Sequence, residues 1–111
     1  MAEPTLQQVF GANATQTATQ LIISKADLAA VGLTASATNG GESLLVAMFL
    51  LARSYLTETN QTTNPEQSIT ITDSFAPDAI VNRNNQNYRQ RTYSVNLQKL
   101  DTGFNINPDD Y

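Results

Sequence analysis

Nine consecutive apolar residues, Leu44 to Ala52, form the longest such run in a chain of 111 residues. They lie inside a segment, about 41–58, that reads as the main helix. At the helical ~100° per residue, Glu42, Ser43, Arg53, Ser54, Thr57 and Glu58 share one face. Val46, Ala47 and Leu50 fall on that same nominally polar face, so the middle of the helix is apolar all round. A helix of that kind is buried on every side. A chain of this length forms one domain and buries roughly 65% of the surface of the unfolded chain. One side of the helix is therefore expected to be covered by another subunit, with Val46 and Leu50 at the interface. The run is also too short to cross a membrane, which needs about 20 apolar residues.

The remainder of the chain is polar without being charged. Thr, Asn, Gln and Ser make up 41 of the 111 residues, and charged residues only 14%. Cys, His and Trp are absent. There is no thiol nucleophile, no imidazole base and no Cys/His metal site, so no catalytic, cofactor-binding or metal-binding residue is expected. Asp73 and Asp78 could act as an acid–base pair, but no partner base accompanies them, and they read as turn or capping residues. The tail places Asp101, Asn105, Asn107 and Asp109 at alternate positions. It lacks the Gly at the sixth and the Glu at the twelfth place of a calcium loop. Gly40 and Gly41 open the main helix without a Walker or Rossmann spacing and read as a tight turn.

The chain is read as an α+β domain over 1–100, followed by a polar C-terminal tail over 101–111. Residues 4–10 form a short helical turn closed by Gly11. Residues 16–23 read as a strand. Ser24 with Asp27 is a capping signal ahead of a short helix at 25–31 that stops at Gly32, and Asn39 with Glu42 is another ahead of the main helix. Residues 59–67 read as a polar linker. Residues 68–75 alternate polar and apolar as a half-buried strand, 76–87 read as a long Asn-rich loop, and 88–98 as a strand antiparallel to 68–75. The main helix is expected to pack on the small antiparallel sheet built from these three strands. Its core is expected to include Leu21, Ile23, Leu28, Leu45, Phe49, Leu56, Ile69, Ile71, Tyr93, Val95 and Leu97.

Charge is unevenly placed. Residues 79–100 hold Arg83, Arg89, Arg91 and Lys99 and no acid, while the other 89 residues carry two basic and ten acidic groups. Arginines interleaved with Tyr88 and Tyr93 could stack on single-stranded nucleic acid. Four cations on a chain of net charge −4 argue against that, because phosphate binding needs many. Two readings remain: a basic hairpin that meets the acidic surface of the next copy, a head-to-tail contact that generates a ring or filament, and a hairpin face that is simply solvated. Arg83, Tyr88, Arg89 and Arg91 on the hairpin, and Phe104 in the tail, join Val46 and Leu50 as candidate interface residues. The beginning of the chain has neither a basic start nor an apolar stretch, so neither an export signal nor a membrane partner is expected.

The stretches ANATQTATQLIISKADL and TDSFAPDAIVNRNNQNYRQRTYSVNL, with one strongly apolar helix and short polar ends, resemble small structural proteins of tailed bacteriophages and prophages. The resemblance implies a virion component, a tail, neck or capsid accessory protein without enzymatic activity. Its partners would be copies of itself and other virion structural proteins, and it would pass through the host cytoplasm during assembly. The alternative is a small soluble binding module that recognises a ligand or peptide through a loop at 76–87. If the 46/50 face is an interface, Leu50→Glu should fold as well as the parent and fail to assemble, as thermal melting and light scattering on one sample would show.

Overall fold

Two short contacts set the first helix. Thr5 Oγ1 accepts a hydrogen bond from the Gln8 backbone N–H at 3.2 Å, and Gln8 Oε1 accepts one from the Thr5 N–H at 2.9 Å, a reciprocal cap that satisfies two orphan donors. Gly11 ends helix α1 (Leu6–Phe10) at φ 110°. A Cβ there would lie 2.7 Å from Asp27, so this corner requires glycine twice over. The computed structural model describes residues 2–101, 103 and 105–111. After α1 come β1 (Thr15–Gln16), β2 (Leu21–Ile22), α2 (Lys25–Leu28) running into a 3-10 turn at Ala29–Val31, α3 (Gly41–Tyr55), α4 (Glu58–Thr63), β3 (Ile69–Arg83) and β4 (Gln86–Leu97). The fold is α+β. Its strands form two separate two-stranded antiparallel sheets, in place of the single three-stranded sheet expected.

Residues 16–23 do not make one strand because a threonine intervenes. Thr17 Oγ1 accepts hydrogen bonds from the N–H groups of Thr19 and Gln20, and the Thr17 N–H donates to the Gln20 carbonyl at 2.8 Å. A short hydroxyl side chain has captured the local backbone and bent it into a tiny hairpin, pairing Gln16 with Leu21. Leu21 is consequently exposed and not in the core. Two capping expectations are also corrected. Asp27 does not turn back to Ser24. Its two oxygens accept from the backbone and side-chain N–H groups of Asn13, both at 2.8 Å, which ties α2 to the corner at Gly11. Asn39 bonds within its own loop, to the Ser36 N–H and the Thr34 carbonyl, leaving Gly40 as the cap of α3.

Helix α3 packs chiefly against α1, with α2 and the 3-10 turn beside it, and meets β3 less extensively. It is thus the centre of a small helical cluster rather than a helix laid on a sheet. Ala14, Leu28, Ala47, Leu56 and Ile71 are the buried apolar residues. Of the expected core, Ile23, Phe49, Ile69 and Tyr93 are half-buried, while Leu21, Leu45, Val95 and Leu97 are exposed. The stretch 59–67 is not all linker. Thr57 caps α4 by accepting from the Asn60 N–H. The buried Gln67 amide then donates to the carbonyls of Thr57 and Ile69, at 3.0 and 2.9 Å, and closes the turn into β3.

The largest departure is the hairpin. From Asp78 on, residues 76–87 belong to its outer half, which is paired in register from Asp78 and Arg91 up to Arg83 and Gln86. Asn84 and Asn85, at φ 53° and 61°, make the two-residue turn. Two positive φ angles in succession match the right-handed twist of the strands, and Asn tolerates that conformation better than most residues. The expected loop is therefore strand and turn, and a flexible recognition loop is not what this segment offers. Between the pairs Asp73/Tyr93 and Asp78/Arg91 the register slips. Ser74, Phe75, Ala76 and Pro77 bulge out there, and Pro77 sits where no ladder donor is required. The tail folds back on the body. Lys99 Nζ donates to the Asn105 carbonyl at 2.8 Å and pairs with Asp110 at 3.1 Å.

The radius of gyration is 16.2 Å, against about 13 Å for a compact chain of this length. Asn84→Val places a β-branched residue at positive φ and should destabilise the arm by about 1–2 kcal/mol. Amide exchange along 78–91 should accelerate while that of α3 stays unchanged.

Candidate assembly interface

The arm meets the helical body at one joint, built by residues from three elements. Tyr93 on β4 packs against Phe49 of α3, with ring centroids 5.2 Å apart and planes tilted by 58°. Two guanidinium groups also lie near its ring, Arg53 of α3 at 4.9 Å and Arg91 at 5.4 Å from the centroid. Asp73 accepts from both, Arg53 at 3.1 Å and Arg91 at 2.9 Å. Arg91 then reaches Asp78 at 3.0 Å. One arginine thus clamps the carboxylates on either side of the bulge. Tyr93 first, then Asp78 and Asp73, hold the Arg91 guanidinium above its ordinary pKa, so the clamp keeps its positive charge throughout. Asp73 and Asp78, read from the sequence as turn residues, are partners in this cross-strand network.

Register decides which side chains share a face beyond the joint. Ile80 stands directly opposite Arg89, on the face that carries Asp78 and Arg91. Val81 and Tyr88 lie on the other, where the Arg83 guanidinium stacks on the Tyr88 ring at 4.0 Å. Several large apolar groups are left uncovered. Phe75 in the bulge is fully exposed, and Ile80, Leu45 and Val46 are 59%, 62% and 57% exposed. Leu45 and Val46 sit one turn before Phe49 on α3, just beyond where the hairpin base stops covering the helix.

Each candidate from the sequence can now be placed. Val46 is exposed, as expected of an interface residue. Leu50 is half-buried and, with Val31, Leu33 and Val46, lines a small cleft of about 130 Å³ within the subunit. Leu50→Glu would therefore strike the subunit's own packing, and Val46 is the cleaner probe of the outer face. Arg83 and Tyr88 are brought together as a stacked pair, and Arg89 lies on the opposite face of the arm. Arg91 belongs to the joint and is not a free contact residue. Phe104 lies outside the described residues. Phe75, Leu45 and the Arg53–Asp73–Arg91 network were not anticipated. A reader of the sequence could have found Phe75 from its neighbour Pro77, which a continuous ladder does not tolerate.

Among the described residues no group of three or more His, Cys, Asp or Glu side chains is placed to hold a metal ion, and no helix is long and apolar enough to cross a membrane. Arg91 and Lys99 are engaged in ion pairs, and Arg83 covers the Tyr88 ring. No protein-family model, curated protein or solved structure matches the chain.

Aromatic packing and charge contribute unequally at the joint. The charged partners are each more than a third exposed, where ion pairs contribute about 1 kcal/mol or less. The half-buried Tyr93 makes apolar, aromatic and cation contacts. Tyr93→Ala should lower unfolding stability by about 2 kcal/mol. Asp73→Asn should cost less than about 1 kcal/mol, with its effect shrinking in high salt. Urea unfolding of both variants checks the order.

Proposed function

We propose that this chain is a non-enzymatic structural subunit that works by homo-oligomeric assembly, as a tail, neck or capsid accessory component of a phage particle. The observation that carries the assembly reading is surface. The chain exposes 8158 Å², whereas a compact monomer of 12.1 kDa exposes about 6000 Å². The extra surface comes with large exposed apolar side chains on an outstretched two-stranded arm. Two-stranded hairpins are marginally stable in water by themselves, so an arm with large apolar side chains exposed gains stability when a partner covers them. The phage attribution is supported by the texture of the sequence. Placement in the virion and contacts with other virion proteins follow from that attribution. The alternative, a module binding a ligand or peptide through 76–87, draws no support from the fold, since from Asp78 onward those residues are paired strand and turn.

Sedimentation over a concentration series tests the assembly reading. Interfaces of standard size give affinities from micromolar upward in strength, so particles several times heavier than 12.1 kDa should form at or below about micromolar concentration. A single monomeric species at every concentration reached would overturn it.

A further inference from the structure

We propose that the outer half of the β3–β4 arm lies across the uncovered face of α3 in a second copy of this chain, seating Ile80 on Leu45 and Val46 and pairing Arg89 with Glu42. The inference rests on the assembly reading and names its contact. Four observations support it.

The first is charge. Arg89 makes no ion pair among the described residues, and neither does Glu42, which is exposed at the start of α3. The second is spacing. Ile80 and Arg89 are direct cross-strand partners, so their Cβ atoms stand about 5 Å apart. Glu42 precedes Leu45 and Val46 by three and four residues, which places them about 5–6 Å apart on one helical face. An apolar group and a cation on the arm therefore match an apolar group and an anion on the helix at nearly the same separation.

The third is reach. Six residue pairs of the arm, Asp78/Arg91 to Arg83/Gln86, span about 20 Å. Helix α3, with 15 residues, is about 22 Å long. The fourth is area. The surplus of exposed surface, about 2000 Å², is enough for two contributions of the ~800 Å² that one partner makes to a standard interface. That is what a chain loses when its arm covers one neighbour and its own helix is covered by another. The contact is heterologous, with different patches on the two copies, and such contacts propagate into rings or filaments.

Because the chain contains no cysteine, disulfide trapping is free of background. Ile80→Cys and Val46→Cys are prepared separately, mixed and oxidised. The control mixture is Ile80→Cys with Ser54→Cys, an exposed position about 12 Å further along α3 from Val46. All three positions are outside the buried core, and circular dichroism verifies folding. The expected result is a covalent dimer from the first mixture in roughly tenfold excess over the control. Arg89→Glu and Glu42→Arg should each weaken assembly about tenfold, and the double swap should recover most of it, as complementary charge pairs across interfaces do. If the parent assembles but the two mixtures cross-link equally and the swap restores nothing, this contact is overturned while the assembly reading stands. If the parent is monomeric throughout, the assembly reading itself falls.

Discussion

The arm has a direction only because β3 starts against the end of α3. Leu56, buried just past the last turn, offers its carbonyl to the Ile71 N–H at 2.9 Å, and Ile71 is itself buried. The Gln67 amide closes the same corner by bonding the carbonyls on either side of it. A hairpin fixed at one point could swivel about it. The second point is Tyr93, lodged against Phe49 and Arg53. Two attachments, one of backbone and one of side chains, turn a strand pair into a lever fixed to a helix. Most of what holds them is apolar contact and buried hydrogen bonding. The half-exposed ion pairs around Arg91 contribute mainly geometry, since such pairs are screened by water.

Much of the local structure was legible in the sequence, and the failures have identifiable causes. α1, α2 and α3 announced themselves through Pro4, Gly11, Gly32 and the apolar run. The inner hairpin showed in the alternation of 69–73 and 93–97. The strand expected at 16–23 was lost to a hydroxyl bonding its own backbone, and side-chain capture of that sort leaves no mark on hydrophobic periodicity. α4 was missed because it is polar all round and stands on the capping bond of Thr57 and the packing of Gln67, not on an apolar stripe. The outer arm was mistaken for a loop because Asn usually signals a turn. Only Asn84 and Asn85 of the cluster are turn residues, and Asn82 and Asn87 bond to each other across the strands at 3.1 Å.

The candidate site was legible as composition but not as arrangement. A basic, Tyr-bearing hairpin and an apolar outer helix face were both visible. That Arg91 serves the joint and that Ile80 faces with Arg89 follow from the register beyond the bulge, and that Leu50 lines a cleft inside the subunit follows from how Val31 and Leu33 lie beside α3. A bulge of this kind shifts every later pair, and one sequence read without its partner strand does not contain that number. The core was overestimated for a related reason. Val95 and Leu97 have the pattern of inward-facing residues, but among the described residues no surface covers them fully.

An exposed two-stranded arm can join a neighbour through its edges or through its faces, and the sequence weighs against the edges. Open edges invite unlimited strand addition, and proteins block them with charge, proline and bulges. Here the bulge carries Pro77 and breaks the ladder of β3, and the outer strands are rich in Asn, Gln and Arg, which offer little apolar area for an added strand to cover. Backbone pairing would also accept any extended segment, so it would not single out a copy of this chain. The faces do discriminate. One presents Ile80 beside Arg89, and the other a Tyr88 ring already occupied by Arg83. Only the first has both an unburied aliphatic group and an uncompensated charge. Burying such an aliphatic side chain stabilises a contact by roughly 1.5–3 kcal/mol, while a mismatched charge beside it would be penalised. Selective association through that face is consistent with an arm whose edges are closed, and it leaves the fully exposed Phe75 at the base of the arm as the next apolar group a neighbouring surface would meet.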